Sequence, residues 1–387
     1  MIEAPTPASI NRPAMALSIA LAFSQDAIYG LVFLSYMNHY LLDVLQTSPG
    51  LPGYTLALFG AIKLAIHPIA GRMLDRTSPR ALFRTAVALQ AGGLVLVLLV
   101  HALWSFLVAT CLIAAGSATI WPLLYEVIAR TQSPEVHSHA TGILSFAGYI
   151  ATGVGFALGV VAANFGPWRT AFFFTLALAV VPLAGQHMAA LDGAPHQTRA
   201  KPTTTGLAPP TAAGQHHAPH QGLRARLQGA AFFAIIVFID YAAVASLAGV
   251  YGPYVRRTLD ITLLRTSLML IPAAAVALIA LLLASRYSRP ERRLLEMALF
   301  FLISAAGALG LAVAPSPWLA AAAATLLGAG AGGVGPIVAA AMIEQGGGPA
   351  GRGLVIGTLM SIEGLGGVLG PALMAVAISV SGPRFGL

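Results

Sequence analysis

The sequence predicts an all-α integral membrane protein made of two pseudo-symmetric helical bundles. Composition is the first reason: only 9% of the 387 residues are charged and 57% are apolar, whereas roughly 25% of the residues of a soluble domain are charged. The second reason is an internal repeat at an offset of 214 residues, by which Asp26 corresponds to Asp240 and Gly116 to Gly330. The composition excludes a soluble globular protein, and the repeat divides the chain into two halves.

The repeat extends along most of each half. The other matched pairs are Trp104 with Trp318 and Pro122 with Pro336 at the same offset, then Gly142 with Gly357 and Gly155 with Gly370 at an offset of 215. A match sustained over this length is hard to obtain by chance, even in apolar sequence. Duplicated helical bundles around a central site are the usual construction of secondary transporters. The organisation therefore favours a carrier.

Eleven segments have the roughly 20 apolar residues that a membrane-spanning helix needs. In order they cover about 14–38, 54–74, 81–101, 103–128, 139–163 and 168–189, then about 228–252, 264–284, 293–313, 317–343 and 353–380. The first segment begins like the apolar core of a signal peptide. Its apolar stretch continues through 29–34, however, and its repeat partner lies in mid-chain. We therefore predict an uncleaved first helix.

These segments form two predicted six-helix bundles, over 1–190 and 227–387, of which the second is one helix short. The repeat places a twelfth helix near 383–404, and Gly382-Pro383 matches the Gly166-Pro167 that introduces the sixth, yet the sequence ends at Leu387. The stretch 191–226 is rich in Pro, Gly, Thr and His and too polar to fold on its own, which predicts a flexible cytoplasmic linker. Its histidines lack zinc-site spacing, so no metal is expected.

The distribution of basic residues predicts the orientation. The net charge is +8, but the basic residues lie in short loops between apolar segments, which is typical of membrane topology and not of nucleic-acid binding. With the N-terminus in the cytoplasm, the cytoplasmic loops carry fifteen Lys and Arg residues and the opposite loops carry four. We expect a multi-pass protein of the inner (plasma) membrane with a cytoplasmic N-terminus.

The loop after the second segment carries a recognisable motif. It reads Gly71-Arg72-Met73-Leu74-Asp75-Arg76-Thr77-Ser78-Pro79-Arg80. This resembles the loop 2–3 signature of the major facilitator superfamily, Gly-x-Leu-x-Asp-Arg-x-Gly-Arg-Arg, with Ser78 where glycine is usual. The resemblance implies two six-helix bundles, and it implies that Gly71, Asp75, Arg76 and Arg80 form a conformational latch. Asp75 can pair with neighbouring arginines and with a helix N-terminus.

A weaker resemblance involves glycines of the eleventh segment. Gly357, Gly366, Gly370 and Pro371 are spaced as in the superfamily's antiporter motif, Gly-x8-Gly-x3-Gly-Pro. In the family that motif belongs to the fifth segment. Close packing of small residues between helices accounts for these glycines equally well.

Three acidic side chains lie deep inside predicted membrane segments, away from the segment ends, where each is costly. Asp26 and Asp240 lie midway along segments one and seven, and Glu363 lies in segment eleven. The resemblance implies that segments one, four, seven and ten line a central cavity, so the two aspartates would face each other across the pseudo-twofold axis. A carboxylate in a low-dielectric cavity can load and release a proton. We regard all three as proton-coupling candidates; a structural hydrogen bond within each half is the alternative for the aspartates.

Further side chains are candidates for the wall of a substrate cavity. Lys63 and His67 share a face of segment two, and Lys63 can pair with Asp26 or bind an anionic substrate directly. His67 is either a proton relay or a satisfied buried histidine. The other candidates are Gln25, Tyr29, Trp121, Tyr125 and Tyr241. The aromatic rings can stack against an amphiphilic substrate or simply pack in the core.

Together these features predict a proton-coupled secondary transporter that exports a small cationic or neutral amphiphile. Three intramembrane acids against one lysine favour that substrate class. One alternative is uptake of an organic anion bound by Lys63, and another is a non-transporting sensor or assembly factor with a carrier fold. No nucleotide-binding loop or catalytic motif is present, so we expect neither an enzyme nor a cofactor. The expected partners are the substrate, protons and the bilayer, with the chain as a monomer.

Overall fold

The structure is a computed structural model that describes residues 12–132, 137–180, 235–246 except 237, 263–288, 292–345 and 352–381. Within these ranges every regular element is a helix. Nine of the described helices are long and apolar enough to cross a membrane. The predicted all-α membrane fold is therefore confirmed. The predicted linker 191–226 lies outside the described residues.

The first half contains six described helices. They are α1 (Arg12–Val44), α2 (Leu51–Leu74), α3 (Pro79–Leu99), α4 (Leu103–Thr131), α5 (His137–Phe165) and α6 (Arg169–Val180). Helix α1 is longer than predicted because it continues through two π-helical stretches, Gly30–Tyr36 and Tyr40–Val44. Such stretches frequently accompany functional sites in helices. The first of them begins directly after Tyr29.

The second half contains five described helices. They are α7 (within 235–246), α8 (Leu263–Tyr287), α9 (Arg293–Val313), α10 (Pro317–Gln345) and α11 (Arg352–Ser381). Each of the eleven predicted segments overlaps one helix of the same rank in the chain. The apolar side chains of α9 are largely exposed, as Leu295 at 72% and Leu302 at 69% illustrate. They form a surface suited to lipid, which is as apolar as leucine itself.

Local sequence explains where these helices begin and end. Ser78 caps α3, and its Oγ accepts a hydrogen bond from the backbone N–H of Ala81 at 3.3 Å. Pro79 follows at the first helical position, where its missing N–H is not needed. After α1, Gln46 adopts a φ of +50°, a left-handed conformation that stops the chain from continuing as a helix. These signals fix the short connections between α1, α2 and α3.

The sequence repeat is also a repeat of contacts. A Cβ added at Gly155 of α5 would meet the carbonyl oxygen of Ala27 on α1, and one added at Gly370 of α11 would meet that of Ala242 on α7. Residues 155 and 27 lie 215 positions before 370 and 242. The α1–α5 contact and the α7–α11 contact are therefore equivalent. Glycines at both sites allow two backbones to approach closely.

The two halves meet along two seams. The α2–α11 seam is continuous: Gly53 lies against Pro371 and Ala375 at one end, and Gly60 lies against Gly367 near the middle. The second seam joins α5 to α8, where Gly142 lies against Ser285. We call the end of the bundle that carries the α2–α3 loop the arginine-rich side. Both seams are closed at that side.

We expect a methyl group at Gly60 to destabilise the protein. A Cβ there would fall 2.6 Å from the carbonyl oxygen of Gly367, and because that atom is backbone, the two helices would have to move apart. Overpacking of this kind costs about 1–3 kcal/mol. Gly92 of α3 is the matched control, because nothing lies within 4 Å of its added Cβ. Thermal unfolding in detergent should show a lower midpoint for Gly60→Ala and an unchanged or higher one for Gly92→Ala; equal midpoints would contradict the close seam.

Candidate functional site

An ion pair joins the two halves in the middle of the α2–α11 seam. The Nζ of Lys63 on α2 lies 2.6 Å from Oε1 of Glu363 on α11. The lysine side chain is 5% exposed and the glutamate side chain 19%. Burial of this depth strengthens the attraction and also makes it costly to separate the charges. Of the two partners considered for Lys63 from the sequence, Asp26 is therefore not its ion-pair partner in this structure.

Aromatic side chains surround the ammonium group. Lys63 Nζ donates a hydrogen bond to the hydroxyl oxygen of Tyr241 at 3.3 Å and lies 4.9 Å from the centre of that ring. The ring of Phe59, one turn earlier on α2, is 5.9 Å away. Tyr29 of α1 packs on Phe59 with ring centres 5.7 Å apart, and it interacts with the Tyr241 hydroxyl. Cation–π contacts thus add to the ion pair.

Asp26 of α1 lies near the Lys63–Glu363 pair. Its carboxylate lies directly over Gly148 of α5, where a Cβ would collide with Oδ2. Trp121 of α4 borders the same spot, 3.9 Å from the added Cβ. Lys63 and Glu363 are both within electrostatic range of Asp26. Across the described chain, however, the Asp26 carboxylate makes no hydrogen bond and no ion pair.

Asp240 on α7 is the counterpart of Asp26 in the second half. Glu363 is within electrostatic range of Asp240, and Tyr149 of α5 interacts with both aspartates. The Tyr149 hydroxyl lies 3.5 Å from the carbonyl oxygen of Ala331 on α10, so this residue reaches from the first half to the second. Asp240, like Asp26, has no ion-pair partner among the residues described. Both carboxylates are therefore within electrostatic range of Tyr149.

The combination of depth and exposure of several polar and aromatic side chains indicates an internal space. The shared feature is that each lies deep in the protein yet keeps some accessible surface; they are Asp26, Tyr29, Tyr125, Tyr149, Asp240 and Tyr241. Tyr149, for example, is 37% exposed. A residue can be both deep and accessible only if it borders a cavity or cleft. An apolar and aromatic space with a few convergent polar groups is typical of a small-molecule site.

The sequence repeat relates the α2–α11 seam to the α5–α8 seam, but the two seams differ in charge. By the offset of 214, Lys63 corresponds to Ala277 on α8, and by the offset of 215, Glu363 corresponds to Gly148 on α5. The α2–α11 seam therefore carries an ion pair where the α5–α8 seam carries two small residues. The space left by Gly148 is filled by the carboxylate of Asp26. The site is thus asymmetric within a symmetric fold.

Two predicted cavity residues lie away from this space. Gln25 is buried and forms a reciprocal pair with Gln90 of α3, with N···O distances of 3.1 and 2.6 Å. This pair joins α1 to α3. His67 is fully buried in the α2–α11 seam, where Nδ1–H donates to the carbonyl oxygen of Met360 at 2.8 Å. Its Nε2 has no hydrogen-bond partner among the described residues, so only part of its hydrogen-bonding capacity is used.

The other aromatic candidates lie near Asp26, Lys63 and Glu363. Two further residues of this site were not among those predicted from the sequence. Trp121 and Tyr125 of α4 pack with ring centres 5.9 Å apart, and Glu363 and Asp26 are within electrostatic range of Tyr125. Tyr149 and Phe59 were not predicted. The available signals were their positions: Phe59 lies one turn from Lys63, and Tyr149 follows the glycine that corresponds to Glu363.

The predicted latch residues lie where the two halves meet at the arginine-rich side. Oδ2 of Asp75 accepts a hydrogen bond at 3.3 Å from the backbone N–H of Leu354, in the first turn of α11, where a carboxylate is favoured by the helix dipole. Gly71 lies against Gly357, whose added Cβ would be 3.1 Å from the Gly71 Cα. Arg76 is exposed and Arg80 is half-buried in the first turn of α3.

No group of three or more metal-ligating side chains occurs in the part of the chain that the structure describes.

The comparisons with known proteins agree with the helical architecture. The family model described as Major Facilitator Superfamily matches residues 15–371. No curated protein matches the sequence.

Among solved structures, the chain is similar to the crystal structure of the human organic anion transporter MFSD10 (TETRAN). The TM-score is 0.73 at 15% sequence identity, with 97% of this chain and 95% of that chain covered. At this identity the likeness establishes the fold. The family match and this fold identify a membrane transporter, which confirms the expectation of a carrier. The chain belongs to the major facilitator superfamily.

Proposed function

We propose that this protein is a proton-coupled secondary transporter that exports a small cationic or neutral amphiphilic molecule by alternating access. The observation that carries the proposal is the pair of intramembrane carboxylates without ion-pair partners among the described residues, Asp26 and Asp240. Ionisable groups within a membrane protein are costly and are typically retained for function. Glu363, the third proton-coupling candidate, is by contrast paired with Lys63.

Charge at the site supports a cationic substrate. Three carboxylates and one ammonium group border the internal space, and the ammonium group is already neutralised by Glu363. When Asp26 and Asp240 are ionised, the remaining charge is negative. A cation can then bind beside Asp26, with the rings of Trp121 and Tyr125 as an apolar and cation–π surface.

Coupling follows if the substrate and protons compete for the same carboxylates. A proton on Asp26 removes the charge that attracts the cation, so proton binding favours substrate release. Loss of that proton restores the charge, and the site accepts the next substrate. Each ligand needs to bind one conformation better than the other for this competition to drive transport. The proton gradient can thereby drive export against a substrate gradient.

The two seams suggest how access alternates. We assign the arginine-rich side to the cytoplasm, as the distribution of basic residues predicts. Contacts from Asp75 to Leu354 and from Gly142 to Ser285 hold the halves together there. These contacts have to open for substrate to enter from the cytoplasm. Gly71, Asp75, Arg76 and Arg80 then act as the latch of the closed conformation.

Uptake of an organic anion is the second candidate, and Lys63 is the observation that favours it. Lys63 is the only lysine within the membrane-spanning helices that the structure describes, and aromatic rings surround its ammonium group. The solved structure of similar fold is that of an organic anion transporter. In this mechanism the anion would replace Glu363 as the partner of Lys63. A single buried cation held by its own carboxylate supports this mechanism less well than the excess of acids supports the first.

Proton flux in proteoliposomes tests the proposal. The unmodified chain is reconstituted with a pH-sensitive dye inside, and cations, neutral amphiphiles and carboxylates are added in turn. We expect organic cations or neutral amphiphiles to produce a proton signal that depends on the protein. A signal from carboxylates alone would support the anion carrier instead. Substrate movement without any proton signal would contradict proton coupling.

A further inference from the structure

A groove opens on the outer surface of the α2–α11 seam at the arginine-rich side. It has a volume of about 300 Å³ and is lined by Pro68, Ile69, Arg72, Met73, Arg76, Thr77 and Leu354. Ile69 is 53% exposed and Met73 40%, although both are large apolar side chains. The groove lies nearer the arginine-rich end of α2 than Lys63 does, and it shares Arg76 with the proposed latch.

The groove combines an apolar wall with two cationic groups. Ile69 and Met73 lie four residues apart near the end of α2, and Arg76 lies in the turn that follows this helix, four residues after Arg72. All four side chains line the groove. Both arginines are exposed. Neither guanidinium has an ion-pair partner in the ranges that the structure describes. Two guanidinium groups that line one groove can bind a phosphate through N–H···O bonds.

The groove also has the depth that a phospholipid requires. Helix α2 ends at Leu74, and with a rise of about 1.5 Å per residue, Ile69 lies roughly 7–8 Å further into the membrane than that end. Arg72 and Arg76 therefore lie nearer the level of the headgroups, and Pro68 and Ile69 lie deeper, toward the first acyl carbons. Basic pockets between membrane helices commonly bind anionic headgroups.

We propose that this groove binds one anionic phospholipid from the leaflet on the arginine-rich side. Arg72 and Arg76 hold its phosphate group. Ile69, Met73 and Pro68 pack against the upper part of an acyl chain. The ligand class follows from the combination, because a free phosphate would use the guanidinium groups alone and a neutral lipid would use the apolar wall alone.

The position of the groove links lipid binding to conformation. Leu354 belongs to α11 and lines the groove, and its backbone N–H is the group that donates to Asp75 of α2. The groove thus has walls from both halves of the protein. When α2 and α11 separate at this side, the two walls move apart. A bound anionic lipid therefore stabilises the conformation in which this side is closed.

Native mass spectrometry of the full chain tests the proposal. The protein is equilibrated with phosphatidylglycerol or phosphatidylcholine of equal acyl length, and retained lipids are counted. We expect preferential retention of phosphatidylglycerol, reduced on the order of ten-fold in Arg72→Gln/Arg76→Gln. The control is Arg84→Gln/Arg292→Gln, which removes two exposed arginines outside the groove and should keep the preference. Equal retention of both lipids, or equal loss in both double variants, would overturn the proposal.

A second comparison separates a lipid site from a simple phosphate site. Ile69→Asn removes part of the apolar wall and keeps both arginines. We expect it to weaken retention of long-chain phosphatidylglycerol, while excess inorganic phosphate should not displace that lipid from the unmodified chain. Displacement by inorganic phosphate, with no effect of Ile69→Asn, would show that the groove recognises phosphate only and would contradict the proposal.

Discussion

Replacement of Asp26 by asparagine is expected to abolish substrate-driven proton movement in proteoliposomes. Asparagine keeps the size of the side chain and its place over Gly148, but its amide group cannot load and release a proton as a carboxylate can. Because Asp26 has no ion-pair partner among the described residues, the change breaks no salt bridge and should leave thermal stability nearly unchanged. A loss of the proton signal with an unchanged unfolding midpoint is the expected combination.

Two further variants make this result specific. Asp26→Glu retains a titratable group and should preserve part of the proton signal. Asp43→Asn removes an acidic residue from the end of the same helix, where the carboxylate lies 2.9 Å from Nδ1 of His39, and should behave like the unmodified chain. A full proton signal in Asp26→Asn would show that Asp26 is not the coupling group, and Asp240→Asn would then be the next variant to measure.

The fold could be predicted because its determinants are periodic and extend over long stretches. Apolar segments of membrane-spanning length define the helices, and the offset of 214 to 215 residues defines the two halves. The repeat also anticipates contacts. Gly155 and Gly370 match in sequence. In the structure Gly155 lies against the carbonyl oxygen of Ala27, and Gly370 lies against that of Ala242, which is the repeat partner of Ala27. Duplicated sequence thus gives duplicated packing.

The candidate site could be predicted only in part, because its partners come from different helices. The sequence indicated that Lys63, Asp26 and Glu363 were intramembrane charges, but spacing along the chain does not determine which of them pair. The 2.6 Å contact of Lys63 with Glu363 depends on how α2 packs against α11. That approach depends in turn on Gly60, Gly364 and Gly367, whose small size allows the two backbones to come close.

Similar reasoning explains Gln25. Its position beside Asp26 suggested a cavity residue, yet neighbours in a helix point about 100° apart, so one can face the internal space while the other faces α3. The Gln90 that pairs with it lies 65 positions away in the chain. A buried amide is favourable only when its hydrogen bonds are made. No local pattern identifies which distant side chain provides them.

Removal of Lys63 is expected to have the largest effect on stability. In Lys63→Met the carboxylate of Glu363 loses its ion-pair partner inside the protein, and breaking a buried pair costs about 3–5 kcal/mol. The lower end of that range applies because the Glu363 side chain keeps 19% exposure. Glu363→Gln leaves Lys63 without its charged partner and should also destabilise. The thermal unfolding midpoint in detergent measures both effects.

The double variant Lys63→Met/Glu363→Gln distinguishes a structural pair from a substrate site. With both charges gone, no uncompensated charge remains, so the double variant should be more stable than the sum of the single effects predicts. If the substrate is a cation bound near Asp26, the stabilised double variant should still export it. If the substrate is an anion bound by Lys63, transport should disappear in every variant that lacks the lysine, whatever its stability. Strictly additive losses of stability would show that the ion pair does not couple the two halves.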